Sequence, residues 1–173
     1  SWHIPGLVMA TYECRERFPV LDDFESGLTE TLWEDQYSAQ LMFLPRSDDE
    51  NDRVLSTALP AGRPWPGARM HHFPGDWSDY SEFVFSARHR TAGVDTLRFG
   101  VRLDDWQGRI DGQWISEGFT ATNEWQVFRM PLKNRQVRFG ERIFDISDVI
   151  GLLFFLSSPP QDMILELDDL HLQ

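Results

Sequence analysis

Two segments in the middle of the chain alternate apolar and polar residues with period two. In Ser81–His89, Phe83, Phe85 and Ala87 share one face. In Thr96–Asp104, Leu97, Phe99, Val101 and Leu103 point one way, and Arg98, Gly100, Arg102 and Asp104 point the other. Successive side chains of a strand lie on opposite faces of a sheet, so this pattern predicts half-buried strands. Trp33 to Leu44 reads as a strand pair or one bent strand, and Val54–Leu59 and Ala68–Phe73 as short strands. Trp114–Phe119, Trp125–Leu132, Val149–Ser157 and Met163–Leu172 follow. The run from Ile150 to Leu156 has no polar position, which predicts a central strand covered on both faces.

Turn residues punctuate this pattern. Pro60 to Gly67 is a Pro/Gly loop carrying Trp65, Pro74-Gly75-Asp76-Trp77 is a turn, and Asp145–Asp148 is a turn or single helical turn. Arg46 to Arg53 reads as a charged, solvated loop. Residues 1–20 read as a lead-in, with a short helix from Leu7 to Arg17 between Pro5-Gly6 and Pro19. Eight or more short strands without a long helix predict an all-β fold. The form expected is a jelly-roll β-sandwich of two antiparallel sheets, one domain over residues 21–173.

Charge narrows the partners. The formal net charge of −12 argues against nucleic acid and against an anionic membrane surface, both of which require Lys/Arg-rich faces. Neutral ligands such as sugars, and cations, remain open. Cys14 is the only cysteine, so neither an internal disulfide nor a thiolate metal cluster can form. No apolar run reaches transmembrane length. The opening Ser1-Trp2-His3 has no initiator Met, and the sequence reads as a piece of a longer protein.

Two constellations carry candidate chemistry. The first is a pair of acidic strands, Leu21-Asp22-Asp23-Phe24-Glu25 near the start and Leu165-Glu166-Leu167-Asp168-Asp169 near the end. If the first and last strands pair, these carboxylates converge and repel unless a cation lies between them. Calcium takes six to eight oxygens from carboxylates and carbonyls. Glu25 and Asp168 are the best candidate ligands, with Asp23 or Asp169 as helpers. The plainer reading leaves Asp168 and Asp169 facing solvent on an edge strand. The second constellation is the polar face of Thr96–Asp104. There Arg102 and Asp104 lie beside Trp106, and Arg69, His71 and Trp114 are within reach of the same face. An indole stacks on a pyranose, and the charged groups hydrogen-bond its hydroxyls. The plainer reading is a solvated sheet face with incidental ion pairs. Trp65 and Trp106, both in polar loops, are the tryptophans expected to be exposed.

An enzyme requires a catalytic group, and no H-E-x-x-H, G-x-S-x-G or Gly-rich phosphate loop occurs. His71 and His72 are adjacent, so in a strand their rings point to opposite faces and cannot share a metal. A glycosidase would need two carboxylates about 5–9 Å apart across a groove, and nothing singles out such a pair. The chain is therefore expected not to be an enzyme.

Several motifs in order resemble the galactose-binding-like β-jelly-roll superfamily. They are Asp23-Phe24-Glu25-x-Gly27, Pro74-Gly75-Asp76-Trp77-x-x-Tyr80, Arg102-Leu103-Asp104-Asp105, Trp125-Gln126-x-Phe128-x-Met130-Pro131-Leu132, Asp145-Ile146-Ser147 and Leu167-Asp168-Asp169-Leu170. Within it the chain looks most like carbohydrate-binding modules of families 4, 11 and 22. The run from His72 to Trp77 is similar to the extramembrane domain of VanZ-like bacterial membrane proteins. The resemblance implies a non-catalytic domain with a structural calcium site at its joined ends and a concave sheet face that binds an oligo- or polysaccharide. It also implies an extracytoplasmic location, periplasmic or at the cell surface, tethered to the inner membrane. Glu25 and Asp168 match the calcium-binding acids of such modules, and Arg102, Asp104 and Trp106 fall where concave-face contacts occur. The rival reading is a protein-interaction or structural domain without a sugar cleft.

Overall fold

The computed structural model describes residues 3–46 and 49–173. Helix α1 (His3–Arg17) leads into β1 (Val20–Asp22) and a 3₁₀ helix, Gly27–Leu32. Strands β2 (Trp33–Gln36), β3 (Gln40–Arg46), β4 (Asp49–Leu59), β5 (Gly67–Met70), β6 (Glu82–His89) and β7 (Leu97–Asp105) follow. A one-turn helix α2 (Gly108–Asp111) precedes β8 (Ile115–Ala121), β9 (Gln126–Pro131), β10 (Val149–Phe155) and β11 (Met163–Leu172). The strands form two antiparallel sheets. One has the order β3-β4-β11-β6-β9, with β1 also on β11, and the other runs β2-β5-β10-β7-β8. This is the all-β sandwich that the alternation predicts.

The period-two pattern sets the layers. Leu97, Phe99, Val101 and Leu103 of β7 are buried between the sheets. Phe83 and Phe85 of β6 face them from the other sheet, with Phe154 of β10 edge-on to Phe85 at 5.1 Å. Aromatic pairs in such tilted and edge-to-face arrangements add to the area they bury. The turn at Pro74–Trp77 plugs one end of the core. Trp77 is fully buried, stacks on Phe83 and donates its indole N–H to Pro74 O at 2.8 Å. Gly75 there carries the close approach to Val149, whose N–H donates to Gly75 O at 2.8 Å.

Three elements differ from the sequence reading. Arg46–Arg53 is not a solvated loop throughout: β4 begins at Asp49 and pairs with β3, Pro45 opposite Arg53 and Arg46 opposite Asp49 across a bulge. Charged side chains do not prevent ladder pairing where they project from the sheet. Ser47 and Asp48 lie outside the described residues. Strand β5 stops at Met70 because His72 takes a left-handed φ of 64°, which ends an extended run. Helix α1 is longer than the predicted Leu7–Arg17, with Pro5 in its first turn, where a missing N–H loses no helical bond. It buries Ala10 and Cys14 against the sandwich. The Cys14 thiol donates to Leu21 O at 3.6 Å, and burial pushes it up to about 12, so it stays protonated and inert.

Candidate functional site

The register of the five-stranded sheet fixes what its outer face displays. Arg98, Gly100 and Arg102 of β7 lie opposite Thr120, Gly118 and Ser116 of β8. Gly100 and Arg102 also lie opposite Phe155 and Leu153 of β10, and Leu153 lies opposite Arg69 of β5. Residues directly opposite share a face, so these side chains stand on one surface. Gly100 keeps that surface low: a Cβ there would run into the Phe155 ring. The result is a cleft of about 1040 Å³ across the sheet.

Aromatic rings stand at both sides of the cleft. Trp114 and Phe139 meet edge-to-face at 5.6 Å on one side. Trp65 meets Phe155 at 5.6 Å on the other, next to Tyr37. Between them lie guanidinium groups. Arg102 sits 4.1 Å over the Trp114 ring and donates through Nε and Nη2 to Asp104 Oδ1 at 3.0 and 2.8 Å. Arg69 Nη1 lies 3.6 Å from Asp104 Oδ2, an oxygen that accepts no hydrogen bond among the described residues. Arg138 donates to Ser116 Oγ at 3.1 Å. Asp104 thus lies under two arginines and orients them.

The structure brings Arg69, Arg102 and Trp114 together along the cleft, with Asp104 supporting them. It does not bring Trp106 or His71 into the lining. Trp106 is half exposed outside the cleft, with the Arg109 guanidinium 4.6 Å over its ring. The reason lies one residue earlier. The Asp105 carboxylate is fully buried and accepts from Gly108 N at 2.8 Å, Asp145 N at 2.9 Å and Arg142 at 2.6 and 2.9 Å. That clamp turns the chain into α2 as β7 ends. His71 stays at the margin, 3.3 Å from Glu34. Tyr37, Arg138, Phe139 and Phe155 line the cleft without having been signalled: three sit in turns or loops, and Phe155 belongs to a run that reads as wholly covered.

The acidic ends form a second site. Strand β11 pairs with β4 from Met163 to Leu167 and with β1 at Leu170 and His171. Between those partners it bulges, with Asp169 at a left-handed φ of 52°. Asp168 points inward at that bulge, its side chain fully buried. Its Oδ1 accepts from Asp169 N at 2.8 Å, and its Oδ2 accepts no hydrogen bond among the described residues. Carboxylate oxygens of Glu25, Asp52 and Asp168 lie within 4.8 Å of one another. Arg46 Nη1 stands 3.3 Å from Asp52 and 3.7 Å from Asp168. Burial, reinforced by the Asp169 and Asp52 charges, pushes the Asp168 carboxyl up to about 8. A buried carboxylate oxygen without a donor, facing two more acids, fits a hard cation held by oxygen ligands.

Asp23 is not part of this group. Both its oxygens accept from Arg17 of α1, the first at 2.9 Å, and against the effect of burial that pair holds its carboxyl below the usual range. Asp52 stands in its place, delivered by the charged stretch that reads as a loop. Asp22 is buried beside it and accepts from Trp33 Nε1 at 2.8 Å, Phe24 N at 2.8 Å and Thr29 Oγ1 at 3.1 Å. Burial outweighs these donors and raises Asp22 to about 6.

No family model matches the sequence, and no curated protein matches it. Solved structures do. The family 11 carbohydrate-binding module of a Clostridium thermocellum cellulosomal cellulase superposes with a TM-score of 0.63 at 16% identity, covering 88% of this chain and 92% of that one. This chain and that module share a fold, a β-sandwich of two antiparallel sheets. A family 11 module from the same organism has also been solved with a β-1,3-1,4-mixed-linked tetrasaccharide. A family 22 xylan-binding domain from Paenibacillus barcinonensis gives a TM-score of 0.56 at 15% identity over 87% of this chain and 90% of that one. An exo-β-agarase gives 0.70 at 14% identity over 89% of this chain, which spans 25% of the agarase. None of these likenesses supports the VanZ-like resemblance or attachment to a membrane protein.

Proposed function

We propose that this chain is a non-catalytic carbohydrate-binding module that holds a glycan in the cleft over β5, β10, β7 and β8. The observation that carries this reading is the open outer sheet face, with aromatic rings at both sides and hydrogen-bonding arginines between them. Rings at the sides give a pyranose a face to stack on, and Arg102, held by Asp104 over Trp114, is pre-positioned for hydroxyls. Sandwiches of known glycan-binding modules share the fold, which supports the reading. A face closed over by loops would favour a protein-interaction or structural domain, and the open cleft supports the glycan reading over it.

Catalysis would require two carboxylates facing across the cleft. Among the described residues Glu117 is the one acid at the cleft, and its side chain turns to the other face of β8, where Arg135 holds the carboxylate at 2.8 Å. The second element of the proposal is a structural calcium ion held by Glu25, Asp52 and Asp168. The donorless oxygen of Asp168 supports it. Its chemistry there would be neutralisation: it would link the β1–3₁₀ loop, β4 and β11. An extracytoplasmic setting, attached to a VanZ-like membrane protein, rests on the sequence resemblance alone.

Affinity electrophoresis against a polysaccharide panel tests the cleft. Trp114→Ala should abolish retardation of the intact chain, and Trp106→Ala should leave it unchanged. Retardation lost with Trp106→Ala and kept with Trp114→Ala would place the site elsewhere.

A further inference from the structure

The sign of the charge in the cleft differs from that of the molecule. Against a net charge of −12, Arg69, Arg98, Arg102 and Arg138 all line one groove, a quarter of the sixteen Lys and Arg residues in the chain. We infer that the glycan held there is acidic, carrying carboxylate or sulfate groups along its length. This rests on the carbohydrate-binding reading above and specifies its ligand.

The acids nearby do not neutralise these arginines. Asp104 is shared between Arg102 and Arg69 and can balance one of them. Glu117 lies opposite the buried Val101, which puts its side chain on the core side of β8, where Arg135 holds it. Glu34, opposite Arg69, pairs with His71 at the margin. Arg138 has a hydroxyl partner, Ser116. The exposed Arg98 guanidinium has no hydrogen bond or ion pair among the described residues. Four guanidinium groups against Asp104 and Glu34 leave at least two positive charges in excess.

Neutral sugar hydroxyls do not demand this arrangement. Amides and carboxylates serve them as well, and an unpaired guanidinium facing the ligand gains most from an oxyanion. Its planar fork matches carboxylate or sulfate in two parallel hydrogen bonds. A cleft with protein walls focuses the field of these groups, while the rest of the surface repels polyanions. The spacing bears on the ligand too. Arg98 and Arg102 are four residues apart on β7, so their backbones stand about 13 Å apart at the strand rise. Arg69 is two strands away across β10, roughly 10 Å at the inter-strand spacing. The Arg69 and Arg102 guanidinium groups converge on Asp104 while Arg98 stands further along β7, and positive points separated along the groove suit acidic groups recurring along a chain, not one terminal charge.

The test is affinity electrophoresis and titration calorimetry of the intact chain against three sets of polymers. These are a carboxylated polysaccharide such as polygalacturonate, a sulfated galactan such as carrageenan, and neutral mixed-linked β-glucan and xylan. Binding to one of the two acidic sets, weakening as salt rises from about 0.1 M to about 1 M, is expected. Which set binds identifies the acid group. Arg98→Gln should weaken that binding about tenfold, the scale of one charge-assisted hydrogen bond, with an unchanged melting temperature. Neutral polymers bound in a Trp114-dependent manner, indifferent to salt and to Arg98→Gln, would overturn the acidic-glycan inference and leave the carbohydrate reading standing. Failure to bind any polymer would overturn both. Equal binding of a single-stranded oligonucleotide would also overturn it, since the cleft would then recognise phosphate and not a sugar.

Discussion

Calcium should raise the stability of this domain, and Asp168→Asn should remove the effect without harming the metal-free protein. A ligand that binds only the folded state stabilises it by RT ln(1 + [L]/Kd), about 2.7 kcal/mol at a hundredfold excess over Kd. For a domain of this size each kcal/mol moves the melting temperature by about 2–4 °C, so the shift should be about 5–11 °C. The variant sharpens the test. In the metal-free state Asp168 holds one bonded oxygen and one donorless oxygen beside Asp52 and Glu25. A neutral amide keeps the bond from Asp169 N through its carbonyl oxygen and, like the protonated acid that burial favours in the metal-free state, adds no charge beside Asp52 and Glu25. In chelator, Asp168→Asn should therefore melt no lower than the native chain, while calcium should no longer raise it. Asp23→Asn is the control: it breaks a partly exposed pair with Arg17, costs roughly 0–1 kcal/mol, and should keep the full calcium response. The assay is differential scanning calorimetry in chelator and in calcium. No shift in the native chain, or a response lost equally in Asp23→Asn, would refute the reasoning.

Asp22 should give the domain a stability that falls with pH. Its folded carboxyl lies near 6 against an ordinary 3.8, so the folded state keeps a proton that the unfolded chain releases, and stability drops as pH rises from about 4 to about 6. Asp22→Asn should flatten that slope in urea midpoints across the window, at a cost of about 1–3 kcal/mol for the donor it leaves unpaired. Trp77→Ala should destabilise by about 3–5 kcal/mol in denaturant unfolding, because it empties a fully buried site between Phe73 and Phe83. A loss below about 1 kcal/mol would mean that the Pro74–Trp77 turn does not plug the core.

What could be read from the sequence was whatever local periodicity governs. The alternation along β7 places Leu97, Phe99, Val101 and Leu103 inside and Arg98 and Arg102 outside, residue for residue. Sheet order and loop placement arise from long-range pairing, and there the sequence misleads. Asp52 reads as solvated because its neighbours are charged, yet the β3–β4 hairpin carries it to within reach of Glu25 and Asp168. Trp106 reads as a continuation of the polar face of β7. The clamp that redirects it comes from Arg142, thirty-seven residues beyond Asp105. Tyr37 and Phe139 become cleft walls only because turns in separate parts of the chain converge on one sheet. Net charge misleads in the same way. The sum of −12 describes the whole surface and conceals a groove lined by four arginines.

The position of β11 has a consequence for how the domain comes to exist. It is the last strand of the fold, yet it pairs with β1, β4 and β6. Thr57 Oγ1 donates to Leu165 O across 108 residues of sequence. During synthesis, then, no native six-stranded sheet can assemble before residues 163–172 have been made. Until that moment β1, β4 and β6 present unpaired edges. Folding of this sheet waits for β11 and is slow, as it is for topologies dominated by distant contacts. A chain interrupted a few residues short should not yield a slightly weakened module but an unassembled one.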